Sequence, residues 1–275
     1  IVYGFNFGTD FKGGTIVEVK YEGGVPSRGV LESEILNLDL GDVSIRATDQ
    51  DGYILRMRDL TSPEQESVKS ALSIENEYSF NIERFNSIGP LIGEELKQKA
   101  LLAIFAVIGV TILYIAYVFR KVSKPVSSWV YGFVSIVALV HDIAVPAGAA
   151  VLMGKFLGVE IDALFITALL SLLGYSINDT IIIFDRIRDN LEANKARNNH
   201  ESFEDTVGRS LSQTYGRSIN TSLTVFIVLI ALYIFAVPSI KFFVLTLIIG
   251  TIAGAYSSIF LAAPLLVTFN NRKKK

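Results

Sequence analysis

The chain has 275 residues, of which 51% are hydrophobic and 19% charged, and its mean hydropathy of +0.45 is too high for an ordinary soluble domain. Its charge is unevenly distributed, because residues 1–97 carry 17 acidic and 9 basic side chains whereas the remainder carries 10 acidic and 16 basic side chains. The absence of cysteine excludes disulfides, thiol nucleophiles and Cys-ligated metals. These properties predict an α-helical polytopic membrane protein with an acidic N-terminal domain (residues 1–97) and a transmembrane domain (residues 98–275).

The N-terminal domain alternates β-type and helical patterns. Short β-branched or aromatic runs of alternating polarity predict strands at 15–20, 43–48, 53–58 and 78–85, with residues 49–52 as a hairpin turn between the second and third. Helices are predicted at 27–36, capped by Ser27, and at 62–73, capped by Ser62. The resulting β-α-β-β-α-β order is the ferredoxin-like α+β pattern, in a domain small enough to favour a binding or lever role over an enclosed catalytic pocket.

A glycine-rich loop precedes the first strand and contains Gly8, Asp10, Gly13 and Gly14. No helix is predicted after it, so a phosphate-binding loop is not favoured. We expect instead a tight connection that acts as a hinge and transmits membrane motion to the N-terminal domain.

Five apolar stretches are long enough to cross a hydrocarbon core of about 30 Å, at approximately residues 100–119, 128–153, 162–184, 219–236 and 240–269. Lysine and arginine are concentrated in alternate connections and at the C-terminus, namely at Arg120, Lys121, Lys124, Arg186, Arg188, Lys195, Arg197, Arg209 and 272–275. The positive-inside rule therefore predicts a cytoplasmic C-terminus and places residues 1–97 on the periplasmic or extracellular side. Because a translocated N-terminal domain needs a preceding signal, we expect a sixth membrane helix upstream of residue 1.

Asp179 is the most informative residue of the third span. A carboxylate within a bilayer helix is costly and marks a candidate functional site. Asp179 precedes Asp185 by six residues, which places it about 9 Å inside the cytoplasmic end of the helix. A polar stripe expected to face other helices runs beside it, formed by Ser171, Tyr175, Asn178 and Thr180. Asp179 is either a proton acceptor or a structural hydrogen-bonding group.

Two further polar groups lie in or next to the spans. Arg217, with Thr221 one turn later, lies two residues before the fourth span and is either the counter-charge of Asp179 or a snorkelling anchor. In the first case, protonation of Asp179 leaves the arginine unpaired and favours a second helix packing. His141 and Asp142 form either a proton relay or a packing pair in the second span. The chain has only two histidines, so no metal site is expected.

Residues 185–199 begin with Asp185, Arg186 and Arg188 and are predicted to form an amphipathic cytoplasmic helix near the membrane surface. Its basic start is either a partner contact or a solvated face. In the fifth span, Gly250 and Gly254 have the small-xxx-small spacing that permits close helix contact.

Three motifs together carry a family resemblance, namely GTDFKGGT at 8–15, His141-Asp142, and GYSINDT at 174–180 followed by FDRIR at 184–188. With them the chain resembles the SecD/SecF family of bacterial protein-export membrane proteins, within the resistance-nodulation-division (RND) superfamily. The form of the GYSINDT motif is closer to the SecF branch than to the SecD branch. The resemblance covers essentially the whole chain.

The resemblance implies a non-enzymatic subunit of the cell (inner or plasma) membrane that uses the proton-motive force to promote late, outer-side steps of polypeptide translocation. It implies that Asp179 accepts the proton, that Arg217 matches an arginine implicated in proton conduction, and that H⁺ or Na⁺ is the coupling ion, with no other cofactor. The implied partners are SecD, the SecYEG translocon and unfolded preproteins, within the lipid bilayer and without nucleic acid.

Two other functions use the same residues. A small-molecule or ion transporter half of the RND type is disfavoured because the single small external domain leaves little room for a substrate pocket. An intramembrane aspartyl protease would use Asp142 and Asp179 as a dyad. Neither aspartate, however, lies in a Tyr-Asp or Gly-x-Gly-Asp setting, and Arg217 is available to hold Asp179 ionised.

Overall fold

A computed structural model describes residues 4–48, 51–74, 77–119 and 126–272. Its contacts divide the chain into two compact units. The first unit consists of Asn6–Ala100 together with the short connector Glu160–Ala163, and the second contains Leu101–Val159 and the chain from Leu164 onward.

The first unit contains a four-stranded antiparallel sheet with the strand order β2-β3-β1-β4. Its elements in chain order are α1 (Thr9–Lys12), β1 (Gly14–Glu22), α2 (Arg28–Leu36), β2 (Ser44–Thr48), β3 (Gly52–Met57), α3 (Ser62–Leu72) and β4 (Ser79–Ile88). The predicted ferredoxin-like order is therefore confirmed. Alternate residues of β1, including Val17 and Val19, pack with Leu31 and Val68 of the helices in a buried core. Two residues of the predicted hairpin turn, 49 and 50, lie outside the described residues.

The start of α3 differs by one residue from the prediction. Thr61, not Ser62, is the N-cap, and its backbone N–H donates to Glu64 Oε2 at 2.8 Å. Arg58 also donates to the Glu64 carboxylate, at 2.5 Å. The charged side chain of Glu64 accepts both bonds, which selects this capping register over the one that would use Gln65.

Five helical segments in the described part of the chain are long and apolar enough to cross a membrane, as predicted. They are α4 (Pro90–Val118), α5 (Ser128–Leu157), α6 (Ala163–Ala196), α7 (Phe203–Phe235) and a composite of α8 (Pro238–Ser257), a π-helical turn (Ser258–Ala262) and α9 (Ala263–Arg272). The helices that contain the predicted spans at 100–119, 162–184 and 219–236 are longer than those spans, because polar flanking residues continue the helices beyond the apolar windows.

The prediction of a separate surface helix at 185–199 was wrong, because α6 continues without a break to Ala196. No glycine or proline interrupts this part of the sequence, so the helical hydrogen bonds propagate. The extension is tied to α7 by a polar junction, in which Asn190 Nδ2 donates to Ser210 Oγ at 2.8 Å and Arg209 contacts Glu201 at 2.6 Å. Helices α6 and α7 therefore form a long antiparallel hairpin.

The helices of the second unit pack closely through aromatic rings and glycines. Tyr131 of α5 stacks on Phe119 at 5.3 Å and meets Phe184 of α6 edge-on at 5.2 Å. A Cβ atom added to Gly250 would lie 2.1 Å from Leu172 Cδ1, and one added to Gly254 would lie 3.3 Å from the Cβ atom of Ser176. The small-xxx-small pair therefore lets α8 approach α6, as predicted.

Gly250→Ala should destabilise the bundle by about 1–3 kcal/mol, because the added methyl group overlaps the Leu172 side chain, which is buried at 3% exposed and must shift to make room. Thermal unfolding of the purified protein in detergent measures this effect. Gly148→Ala in α5 is the matched control, since its added Cβ meets no atom within 4 Å. Equal melting temperatures for the two variants would contradict this packing.

Glu201 should contribute stability that depends on pH. Hydrogen bonds from Arg209 and Asn194 lower the pKa of Glu201 from 4.5 to about 2. Because the folded pKa is depressed, the contribution is complete above the ordinary pKa and is lost as the pH falls through about 2. The melting-temperature difference between the wild type and Glu201→Gln should therefore shrink from pH 6 toward pH 3. Glu192→Gln, an exposed substitution on α6, should not show this trend.

Candidate functional site

One face of α6 buries three polar residues, Ser176, Asp179 and Thr180. Their spacings of three and four place them on the same side of the helix. Apolar neighbours on the same face, Leu172 and Ile183, are also buried. The polar cluster is therefore enclosed by the bundle at the middle of the helix.

Asp142 of α5 is a fully engaged carboxylate and is only 1% exposed. Its Oδ1 atom lies 2.9 Å from His141 Nδ1, and its Oδ2 atom accepts hydrogen bonds from Ser257 Oγ at 2.8 Å and from Ser176 Oγ. These contacts join α5, α6 and α8 at one side chain. Pro146 lies one turn later within α5 and lacks the N–H that the Asp142 carbonyl would otherwise accept.

Asp179 is equally buried, at 1% exposed, but its carboxylate has few partners. Ser222 Oγ of α7 donates to Asp179 Oδ2 at the long distance of 3.3 Å, and Tyr175 donates to Ser222 at 3.1 Å. Asp179 Oδ1 has no hydrogen-bond partner among the described residues. The two buried aspartates thus differ sharply in the number of hydrogen bonds that their carboxylate oxygens accept.

The predicted direct pair between Asp179 and Arg217 is not formed in this structure. Within the described residues, no nitrogen of Arg217 lies within the 4.0 Å ion-pair distance of the Asp179 carboxylate, and Arg217 is exposed. The buried polar residues of α7 recur every four positions, at Ser210, Thr214, Ser218 and Ser222. Arg217 is rotated by about 100° from this stripe around the helix axis, and Thr221 Oγ1 donates to the Arg217 carbonyl at 2.9 Å.

The predicted polar stripe on α6 is only partly buried. Ser171 and Asn178, expected to face other helices, are exposed in this chain, and Ser171 donates to its own helix at the Thr167 carbonyl. Tyr175 is half-buried, whereas Thr180 is buried and lies 3.4 Å from Ser258 Oγ. The buried face of α6 within this chain is centred about one residue position away, on Ser176 and Asp179, so the expectation that Ser171 and Asn178 face other helices stays a prediction.

The basic residues that follow on α6 make contacts of their own. Arg186 donates to Gln213 of α7 at 2.7 Å, and Arg188 pairs with Asp185 at 2.5 Å. Arg186 therefore links α6 to α7, whereas the Arg188–Asp185 pair lies within α6. The loop residues Gly8, Asp10, Gly13 and Gly14 belong to the first unit.

Sequence reasoning missed the serines that donate to the two carboxylates, namely Ser176 and Ser257 at Asp142 and Ser222 at Asp179. A signal existed on α7, where small hydroxyl residues repeat every four positions.

On the fifth span, the π-helical turn just before Pro264 accommodates the proline, which cannot donate to the Phe260 carbonyl. Within the described residues, no group of three His, Asp or Glu side chains is placed to bind a metal.

The arrangement has a definite chemical capacity. A buried carboxylate oxygen without a donor can take up a proton without breaking an existing hydrogen bond, and Asp179 Oδ1 is such an atom. Both oxygens of Asp142, in contrast, already have partners, with His141 at Oδ1 and with Ser176 and Ser257 at Oδ2. We therefore assign Asp179 as the candidate titrating group and Asp142 as a structural junction.

Two family models match the chain. The model described as "Protein export membrane protein SecD/SecF, C-terminal" matches residues 67–272, and the model described as "SecD/SecF GG Motif" matches residues 1–25. The second match includes the glycine-rich loop, and the first includes all five membrane helices.

Curated relatives match over almost the full chain. The protein translocase subunit SecF of Thermobaculum terrenum is 39% identical over 284 aligned residues, which cover 99% of this chain and 87% of the relative. The protein translocase subunit SecF of Alicyclobacillus acidocaldarius is 37% identical, covering 100% of this chain and 86% of the relative.

A solved structure has the same fold. The crystal structure of SecDF, a translocon-associated membrane protein from Thermus thermophilus, matches with a TM-score of 0.78 and 30% identity over 98% of this chain. The chain spans only 35% of that longer protein.

Asp142→Asn should lower the stability of the protein by about 1–3 kcal/mol, because one acceptor oxygen shared by buried donors becomes an amide group. Asp179→Asn should change the stability less than Asp142→Asn does, since Asp179 accepts only one long hydrogen bond, from Ser222, which the amide oxygen can still accept. Thermal unfolding of both variants in detergent compares them directly. A larger loss for Asp179→Asn would contradict the assignment of the two roles.

Proposed function

We propose a function on the premise that this chain belongs to the SecD/SecF family of protein export membrane proteins, as a multi-pass membrane protein of the SecF type. Its relatives are subunits of the protein translocase. The chain uses the proton-motive force to promote late, outer-side steps of polypeptide translocation, and Asp179 is its proton acceptor.

The observation that carries this proposal is the unused oxygen of Asp179. A carboxylate that is buried in a transmembrane helix without a full set of hydrogen-bond donors is energetically costly. Such a costly group indicates a functional role. A proton arriving at Oδ1 removes the negative charge that lacks hydrogen-bond donors there. One charge crossing a potential of 100 mV yields about 2.3 kcal/mol, which is enough to shift a two-state helix packing substantially.

Arg217 is the proposed coupling partner of Asp179. It precedes Ser222, the hydroxyl bound to Asp179, by five residues, or about 7.5 Å along α7. Deprotonation of Asp179 attracts the arginine toward the seam between α6 and α7, and protonation releases it to the exposed position found here. The exposed arginine together with the open carboxylate oxygen supports assignment of this conformation to the protonated state.

The proposed orientation follows the charge distribution. Arg186, Arg188 and Arg209 lie near the α6–α7 turn, and Arg272 ends α9, so this side is cytoplasmic and the first unit is on the outer side of the cell membrane. SecD, the SecYEG translocon and unfolded preproteins are the proposed partners, and H⁺ is the coupling ion.

The alternatives receive less support. A protease dyad needs two carboxylates that share a proton, whereas Asp142 is occupied by His141 and two serines. For a small-molecule transporter half, the first unit offers an open cleft of about 620 Å³ lined by charged residues such as Lys12 and Arg56, which is poorly suited to apolar compounds.

Asp179→Asn should abolish the part of preprotein translocation that depends on the proton gradient, because the amide cannot bind and release a proton. The measurement uses inverted membrane vesicles that contain this chain with SecD and SecYEG, and compares translocation with and without an imposed gradient. Stimulation by the gradient should fall to the level of vesicles lacking this chain, while ATP-driven translocation continues.

Asp185→Asn is the matched control, since Asp185 lies on the same helix, is half-buried and pairs with Arg188. It should retain the gradient response. Retained gradient stimulation in Asp179→Asn would refute the proposal. Loss of a peptide-cleavage product with intact translocation would favour the protease instead.

A further inference from the structure

The glycine-rich loop binds the connector that leads into α6. Asn6 accepts a hydrogen bond from the Ile161 N–H at 2.8 Å, and the Gly8 N–H donates to the Ile161 carbonyl at 2.8 Å. Phe7 and Ile161 thereby form a parallel β-bridge. A Cβ atom on Gly8 would lie 3.2 Å from the Ile161 carbonyl oxygen, so the close approach favours glycine.

Asp10 caps α6 although it is distant in sequence. Its Oδ2 atom accepts from the Ala163 N–H at 2.9 Å, and the side chain is only 4% exposed. The first N–H groups of a helix have no partner within that helix, and a carboxylate there satisfies one of them and interacts favourably with the helix dipole. The loop thus completes the start of the helix that carries Asp179.

An ion pair fixes the same connector to the sheet. Arg56 of β3 lies 3.2 Å from Glu160, and the two side chains are 22% and 21% exposed. Partial burial reduces solvent screening, so this pair contributes more than a surface pair such as Arg28–Glu32, which is more exposed.

The following glycines hold the loop against the start of α4. Gly13 has a φ of +80°, and a Cβ atom there would lie 2.8 Å from Pro90 Cα. Gly14 has a φ of +134°, and its Cβ would lie 2.8 Å from the Met57 carbonyl oxygen. Both positions therefore require glycine for close packing and left-handed backbone angles. This close packing agrees with the tight connection predicted from the sequence, while its action as a hinge stays a prediction.

We infer that residues 6–14 form a clasp that holds the starts of α4 and α6 against the sheet, and that Asp10 and Arg56 are positioning residues for α6. Because α6 is one unbroken helix, a shift of Ala163 along its axis is passed to Asp179, 16 residues and about 24 Å away. The clasp is thus the route by which movement of the sheet and protonation of Asp179 influence each other. Only the influence of the clasp on the protonation of Asp179 rests on the proposed function.

The first test removes the cap. Asp10→Ala should raise hydrogen–deuterium exchange of the amides at 161–166 about fivefold in the full-length protein, because loss of a capping side chain weakens the first turn. Asp10→Asn should stay within about twofold of the wild type, since asparagine caps as well as aspartate. Asp42→Ala is the control, an exposed acid in the same unit. Unchanged exchange in Asp10→Ala, or equal increases in Asp10→Ala and Asp10→Asn, would overturn the capping role.

The second test reverses the ion pair. Arg56→Glu and Glu160→Arg should each raise exchange at 161–166 and reduce gradient-stimulated translocation at least twofold, and the double variant with exchanged charges should restore both toward the wild type. Arg28→Glu, which breaks an exposed pair, should change neither. A double variant as impaired as the worse single variant would overturn the clasp.

The two readouts separate the clasp from the proposed function. If the single variants alter exchange but leave gradient stimulation intact, while Asp179→Asn abolishes it, the positioning of Asp179 by the clasp is overturned and the role of Asp179 stands. If Asp179→Asn retains the gradient response, the proposed function fails, whereas the exchange results continue to test the clasp.

Discussion

The helix bundle depends on the requirement that a carboxylate removed from water be surrounded by donors. Asp142 meets this requirement with groups from three elements: His141 beside it on α5, Ser176 on α6 and Ser257 on α8. The contacts need close helix approach, which Gly254 allows by leaving space opposite Ser176. The hydrogen bonds of Asp142 and the close helix packing at Gly254 therefore depend on each other.

Within this rigid frame, the second buried aspartate is left incompletely satisfied. Asp179 accepts one long hydrogen bond from Ser222 and keeps a free oxygen within the described structure. A group of this kind contributes little to stability, but it can change its charge without dismantling the bundle. In our proposal, this separation of a structural carboxylate from a titratable one permits proton binding to alter helix packing locally, with Arg217 as the responding charge.

The glycine-rich loop gives the first unit a physical connection to this chemistry. Hydrogen bonds to Ile161 and Ala163 and the Arg56–Glu160 pair hold the connector that begins α6. A loop with two positive-φ glycines would be flexible in isolation, but Pro90 and Met57 pack against it too closely for free movement. Close packing converts a flexible sequence into a stiff link, and stiffness is what transmission of small displacements requires.

The sequence by itself determined the features that depend on local patterns: five membrane helices, the order of the ferredoxin-like unit, and Asp179 as an unusual intramembrane charge. It also carried the motifs of the SecD/SecF family. Only the tertiary structure decided which side chains meet, because a rotation of about 100° between neighbouring helix positions separates a buried Ser218 from an exposed Arg217. The continuous α6, the serines around both aspartates and the capping of α6 by Asp10 likewise depend on contacts between distant segments, whose geometry hydrophobic periodicity does not encode.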